Sequence, residues 1–268
     1  MAAALSPDYS ILDRPEVLMF LFHPRKSAGS VGGNTRFREI RIPVEDPIAV
    51  GARFHMAHAS GPTILFFHGN GEIVADYDEI GLLFNRLGLN VMVVDYRGYG
   101  CSDGSPTVAA MMADCHRILE FSEGWKTENG FDGPLIVMGR SLGSASALEL
   151  AAAYPDRIAG LIVESGFAWA GPLLQRLGVN PDVIGFDESA GFANVDKIKR
   201  FAKPTLIIHA EFDHIIPFSD GQALFDASTA EDKELVMIPG ANHNDIFMRG
   251  LNSYMEALSR LARKALSV

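Results

Sequence analysis

Cysteine is scarce in this chain, and long apolar runs are absent. Its two cysteines, Cys101 and Cys115, lie in separate predicted elements and form no CxxC pair, which excludes a disulfide framework and a paired-cysteine metal or redox site. No run approaches the ~18 apolar residues of a membrane span, and the longest early stretch is only residues 17–22. The first residues also lack the basic region and apolar core of a signal peptide. We therefore expect a cytoplasmic protein.

Basic residues are also fewer than acidic residues. The chain has 23 Lys and Arg against 33 Asp and Glu, a formal net charge of −10, and no basic cluster interrupts the acidic excess. This balance argues against a nucleic-acid partner or an anionic membrane surface. His116 shares a predicted helix with Asp114 and Cys115, but no second cluster stands at ligand spacing. We expect no metal and no organic cofactor.

Strand-like and helix-like segments alternate through most of the 268 residues. The strand-like segments are residues 37–43, 48–55, 63–67, 90–95, 134–138, 160–164, 204–210 and 233–239. The first two suit an antiparallel edge hairpin, and the others predict a mostly parallel sheet with helices on both faces, an α/β fold. Such sheets bind their ligands at the carboxyl ends of the strands.

We interpret the chain as one α/β domain over residues 35–268, preceded by an N-terminal extension, residues 1–34, that packs on it. Residues 166–200 separate two predicted strands and are rich in apolar side chains. They could be ordinary crossover core, but we expect a short cap insertion over the site. Its expected substrate-lining residues are Phe167, Trp169, Leu173 and Leu174.

The most informative stretch is Gly-Arg-Ser-Leu-Gly at residues 139–143, between a strand-like run and a run of helix formers. A strand that turns sharply into a helix forces strained backbone angles on Ser141 and leaves no room for a Cβ at the flanking glycines. The serine then stands exposed over a helix N-terminus, which favours developing negative charge. This context predicts that Ser141 is a nucleophile.

A serine nucleophile needs a base that is oriented by a carboxylate. Asp213 follows the strand-like segment that ends at residue 210, and His243 follows the last one, in a loop ahead of a helix. A lone aspartate could cap a helix and a lone loop histidine could be a surface group. The order serine, acid, histidine, each just past a parallel strand, instead predicts a catalytic triad.

From about Phe37 to its end the chain resembles the alpha/beta-hydrolase superfamily. It is most similar to the intracellular alpha/beta-hydrolase-domain (ABHD) serine hydrolases, related to the prolyl-oligopeptidase-like and lysophospholipase-like branch. The stretches that carry the resemblance are His-Gly-Asn-Gly at 68–71, Asp-Tyr-Arg-Gly-Tyr-Gly-Cys-Ser at 95–102, residues 139–143, Glu-Phe-Asp-His-Ile-Ile-Pro at 211–217 and Gly-Ala-Asn-His-Asn-Asp at 240–245. The resemblance implies the same triad, and an oxyanion hole from the backbone N–H groups of Asn70 and Leu142.

These expectations describe a serine hydrolase that cleaves small carboxylic esters or thioesters through an acyl-enzyme. The same triad could serve a small-peptide or amide hydrolase or a perhydrolase, and a non-catalytic ligand-binding relative could keep the fold.

Two ion pairs are also expected near the site. Arg140 and Glu164 should project from the same end of adjacent strands and pair as structural support for the turn at Ser141. Asp95 and Arg97 should pair within their own loop.

Overall fold

Eight strands form one continuous sheet in the computed structural model, which describes residues 8–27 and 37–267. They are β1 (Arg38–Glu45), β2 (Ile48–His55), β3 (Thr63–Phe67), β4 (Asn90–Val94), β5 (Leu135–Arg140), β6 (Gly160–Glu164), β7 (Thr205–Ala210) and β8 (Lys233–Ile238). The order across the sheet is β1-β2-β4-β3-β5-β6-β7-β8. β1 and β2 form the antiparallel edge, and β3 to β8 run parallel. The expected α/β architecture is confirmed.

Helices cover both faces of the sheet. They are α1 (Pro15–Leu21), α2 (Asp78–Arg86), α3 (Val108–Glu128), α4 (Ser144–Ala153), α5 (Ala170–Arg176), α6 (Pro181–Ile184), α7 (Asn194–Ile198), α8 (Phe218–Ala227) and α9 (Ile246–Ala265). Successive strand residues turn to opposite faces. Phe66 therefore belongs to the core cluster that includes Tyr254 of α9, whereas Phe67 belongs to the cluster that includes Leu148 of α4. Burial on both sides explains why the central strands are continuously apolar.

The described part of the N-terminal extension packs into the main core. Leu12, Val17 and Leu21 are almost completely buried. Asp13 accepts a 2.6 Å hydrogen bond from the backbone N–H of Val108, so it satisfies one of the free donors at the start of α3. Residues 1–7 and 28–34 of the expected extension lie outside the described residues.

Residues 166–200 connect β6 to β7 and contain α5, α6 and α7. α7 packs against α4 and α8, as a crossover helix does. α5 lies at the carboxyl edge of the sheet. Glu188 accepts hydrogen bonds from two backbone N–H groups in the first turn of α5, those of Ala170 (3.1 Å) and Gly171 (2.6 Å). In the part of the chain that the structure describes, no helix is long and apolar enough to cross a membrane.

Candidate active site

Ser141 stands at the tip of the tight turn between β5 and α4. Its φ is 51°, a left-handed backbone conformation that is rare for residues other than glycine. The turn closes only because its neighbours lack side chains. A Cβ at Gly139 would lie 2.3 Å from the carbonyl oxygen of Gly143, and one at Gly143 would lie 2.1 Å from that of Phe67. The strain keeps Ser141 at the edge of the sheet.

The structure brings together Ser141, His243 and Asp213, which are separated by up to 102 residues in the chain. His243 Nε2 lies 3.0 Å from Ser141 Oγ, and His243 Nδ1 lies 2.7 Å from Asp213 Oδ2. An ionised carboxylate only accepts hydrogen bonds, so Nδ1 carries the ring proton and Nε2 accepts the serine hydroxyl. This tautomer is the one that a general base needs.

Several donors hold the carboxylate of Asp213. Its Oδ1 accepts hydrogen bonds from the backbone N–H groups of Ile215 (3.0 Å) and Ile216 (2.8 Å). Burial acts to raise the pKa of Asp213, but the hydrogen bond from His243 and the backbone donors outweigh it and lower the pKa below its ordinary value. Asp213 therefore stays ionised at neutral pH. His209 is fully buried and contacts the carbonyl oxygen of Ile216 at 2.9 Å, so it is a core histidine.

Asn70 and Leu142, the two residues expected to form the oxyanion hole, line one cavity with Ser141. Leu142 lies in the first turn after Ser141, where backbone N–H groups have no partner within the helix. The side chain of Asn70 is held in place by the N-terminal segment. Its Oδ1 accepts hydrogen bonds from the backbone N–H of His23 (2.8 Å) and from the hydroxyl of Tyr99 (2.8 Å).

The loop behind Asn70 is ordered by a buried histidine. His68 contacts the carbonyl oxygen of Gly69 through Nδ1 (2.8 Å) and Asp95 Oδ1 through Nε2 (3.1 Å). The expected ion pair between Asp95 and Arg97 is wrong. Asp95 is engaged by His68, whereas Arg97 forms two 2.7 Å hydrogen bonds with Asp114 of α3, because its side chain leaves the loop in the direction of that helix.

A cavity of about 330 Å³ opens beside the serine. Its lining residues are Leu21, His23, Asn70, Glu72, Arg140, Ser141, Leu142, Leu173, Leu177, Ile215, His243 and Asn244. Five of these side chains are apolar, and the other seven are polar or charged. Leu21 and His23 come from the N-terminal segment, so that segment is part of the site.

One of the four residues that we expected to line the substrate site lines this cavity. Leu173 lines the cavity, but Phe167, Trp169 and Leu174 do not. Phe167 and Leu174 turn into the core, with exposures of 0% and 1%, because they anchor the segment to the sheet. Trp169 precedes α5 and is 41% exposed. Leu177, one helical turn beyond Leu173, takes the place that we expected the aromatic residues to fill.

Arg140 and Glu164 form an ion pair, with Arg140 Nε 3.1 Å from Glu164 Oε1. The pair belongs to a larger buried network that the sequence did not reveal. Arg140 also contacts Glu72 at 3.0 Å, and the hydroxyl of Tyr254 donates to Glu164 at 2.5 Å. Burial opposes the charge of Arg140, but the two carboxylates raise its pKa above the ordinary value. Burial raises the pKa of Glu164.

Within the described ranges, no three His, Cys, Asp or Glu side chains come together as ligands for a metal ion. The chemistry that the site offers comes from its side chains and backbone amides: a nucleophile with its base, and N–H groups for a developing oxyanion.

The chain is similar in sequence and in fold to known proteins. Residues 59–181 match the family model described as serine aminopeptidase, S33. The human alpha/beta hydrolase domain-containing protein 17B is 34% identical over 212 residues, which are 76% of this chain and 67% of that protein. An esterase from Pyrococcus furiosus superposes with a TM-score of 0.70 at 16% identity, covering 89% of this chain and 98% of its own. Est1E from Butyrivibrio proteoclasticus, solved with ferulic acid, has a TM-score of 0.70 at 19% identity. The match covers 85% of this chain and 100% of Est1E.

The distant structural matches show the fold, and the 34% match to the human protein extends over most of this chain. The sequence motifs at the strand ends, the sheet order and these likenesses lead to one conclusion. The chain belongs to the ABHD family of alpha/beta hydrolases.

Proposed function

We propose that this hydrolase is a serine hydrolase that cleaves carboxylic esters or thioesters through an acyl-enzyme intermediate. The observation that carries the proposal is the hydrogen-bonded line from Ser141 through His243 to Asp213, with contacts of 3.0 and 2.7 Å. A serine hydroxyl is a weak nucleophile by itself, and this arrangement supplies the base and the orienting carboxylate that activate it.

The geometry supports the following steps. Ser141 Oγ attacks the acyl carbon while its proton passes to His243 Nε2, and the N–H groups of Leu142 and Asn70 stabilise the oxyanion. The imidazolium then gives its proton to the leaving alcohol or thiol, and the acyl group remains on Ser141. Water attacks this ester with His243 again as the base, and collapse of the second tetrahedral intermediate releases the carboxylic acid and restores the serine.

The cavity supports an apolar acyl group as the substrate class. Its apolar wall consists of Leu21, Leu142, Leu173, Leu177 and Ile215. Its volume of about 330 Å³ is at the lower end of the range for small-molecule pockets. We infer that short to medium acyl chains pack against this wall, with the polar leaving group on the side of Glu72 and Asn244.

A second candidate is an aminopeptidase, which the name of the matching family model favours. An aminopeptidase needs an anionic partner for the substrate's ammonium group. Among the described residues that line the cavity, Glu72 is the one carboxylate. Its oxygens are already engaged by Arg140 (3.0 Å), by the backbone N–H of Gly69 (2.7 Å) and by the hydroxyl of Tyr77 (2.6 Å). The ester and thioester proposal is therefore the better supported of the two.

The proposal is tested by covalent labelling with a fluorophosphonate probe and by turnover of a matched panel of acyl esters, thioesters and aminoacyl amides. We expect labelling of the wild-type protein and none of Ser141→Ala, which should unfold at a similar temperature because the serine is at the sheet edge. We also expect esters and thioesters to be cleaved at least tenfold faster than the amides. Equal labelling of Ser141→Ala would exclude Ser141 as the nucleophile, and a protein that the probe does not label would be a binding relative.

A further inference from the structure

The guanidinium of Arg140 touches three loops of the site. Nε lies 3.1 Å from Glu164 at the end of β6, and Nη1 lies 3.0 Å from Glu72 in the loop after β3. Nη2 donates a 2.7 Å hydrogen bond to the backbone carbonyl oxygen of His243. The side chain is only 10% exposed. Each nitrogen therefore has its own partner, and each partner belongs to a different loop.

Two of these contacts lead directly to groups that the proposed reaction uses. The carbonyl of His243 is part of the residue that acts as base. Glu72 accepts a 2.7 Å hydrogen bond from the backbone N–H of Gly69, the residue before Asn70. Arg140 itself precedes Ser141. The same guanidinium is thus connected to the nucleophile, the base and the oxyanion loop.

We propose that Arg140 is a positioning residue that fixes His243 and the oxyanion amide of Asn70 relative to Ser141. The inference rests on the proposed function and goes beyond a structural ion pair with Glu164. A planar guanidinium presents its donors in a rigid fork, whereas a lysine ammonium is a single point at the end of a flexible chain. Lysine at this position would keep the charge but could not hold three loops at once.

The experiment compares Arg140→Lys, Arg140→Gln and Glu72→Gln with a matched control, Arg53→Lys. Arg53 is also a buried arginine with two carboxylate partners, Glu39 at 3.0 Å and Asp78 at 2.6 Å, but it lies on β2. Four quantities are measured for each protein: the melting temperature, kcat and KM on the best ester, and the rate of fluorophosphonate labelling.

For Arg140→Lys we expect kcat and the labelling rate to fall about 10- to 100-fold with little change in KM, because a misplacement of about 1 Å costs this much in rate. Arg140→Gln and Glu72→Gln should lower the same two rates, because each weakens the contact between Arg140 and the loop that carries Asn70. Arg53→Lys should lower the melting temperature and leave kcat and the labelling rate unchanged.

Wild-type rates in Arg140→Lys, with only a lowered melting temperature as in Arg53→Lys, would overturn the inference. If Arg140→Gln does not fold, Arg140→Lys and Glu72→Gln decide the question alone, since unchanged rates in both would also overturn it. Failure of the proposed function would look different: the wild-type protein would then neither turn over esters nor react with the probe.

Discussion

At the scale of single residues, the carboxylate of Asp213 has the most sharply defined task, since it sets which nitrogen of His243 carries the proton. In Asp213→Asn the amide would donate to Nδ1, which would move the ring proton to Nε2, the nitrogen that must accept the serine hydroxyl. We expect kcat to fall by about 10⁴, with the fold intact.

Steady-state kinetics together with the melting temperature checks this prediction. Asp114→Asn is the control, because Asp114 is also buried and also bonded to a cation, Arg97, at 2.7 Å, but it lies on α3. The control should lose stability and keep its kcat. A loss of less than tenfold in Asp213→Asn would contradict the orienting role.

The sequence predicted the residues whose role depends on a local pattern and missed those whose role depends on distant contacts. Ser141, Asp213 and His243 each follow a recognisable strand, so their meeting could be expected. His23 reaches Asn70 across 47 residues, and Arg140 reaches the carbonyl of His243 across 103. No periodicity marks such contacts, because they arise only when the chain packs.

At the scale of elements, α5 contributes Leu173 to the apolar wall, and two consecutive leucines on this helix allow a matched test. Leu173 lines the cavity, whereas Leu174 is 1% exposed in the core. Leu173→Ala should enlarge the acyl pocket and move the preferred ester to a chain one or two carbons longer. Each added methylene that the wall buries should improve kcat/KM about fourfold, from about 0.8 kcal/mol per methylene.

The chain-length profile of kcat/KM over a series of acyl esters measures this effect. Leu174→Ala should lower the free energy of unfolding by about 2–5 kcal/mol, as buried leucine truncations do, and leave the profile unchanged. Trp169→Ala should also leave it unchanged. An identical profile for Leu173→Ala and the wild type would place the acyl chain elsewhere.

Strands and long helices were predicted better than short ones. The expected strand over residues 63–67 agrees with β3, and the run of helix formers that follows residue 143 agrees with α4, which spans Ser144–Ala153. Both have strong, uninterrupted patterns bounded by glycine or proline. Residues 166–200 form helices of only four to seven residues, in which glycines and prolines break any period. Their apolar content predicted burial, but it could not show which side chains face the cavity and which face the core.

At the scale of the whole molecule, the parallel sheet explains why the site is where it is. Parallel strands all end at one edge, so the loops after β3, β5, β7 and β8 meet there and supply Asn70, Ser141, Asp213 and His243. The alternation of strands and helices was enough to predict that edge. The part played by residues 8–27 was not predictable, because a short helix in a proline-containing segment carries no signal for where it docks.

The stability of the fold should depend on a second ion network, which is partly buried and includes Glu149 of α4. Glu149 lies 2.7 Å from Lys197 and 3.3 Å from His116. Burial acts to raise the pKa of Glu149, but these two partners outweigh it and lower the pKa from its ordinary value of 4.5 to about 2. A carboxylate whose pKa is lower in the folded state stabilises the fold above its unfolded pKa. That contribution is lost as the pH falls through the folded value.

Glu149→Gln should therefore lower the free energy of unfolding by about 3 kcal/mol at pH 7, from about 1.4 kcal/mol for each unit of pKa difference. The difference from the wild type should narrow as the pH falls from about 4.5 towards 2, since the wild-type carboxylate then takes up its proton. Urea denaturation of both proteins at pH 7, 4.5 and 3 measures this difference in the free energy of unfolding. Glu120→Gln is the control, because Glu120 is 55% exposed and should change stability by less than about 0.5 kcal/mol at every pH. A loss in Glu149→Gln that stayed constant over this range would come from packing, and the charge of Glu149 would then contribute nothing to the stability of the fold.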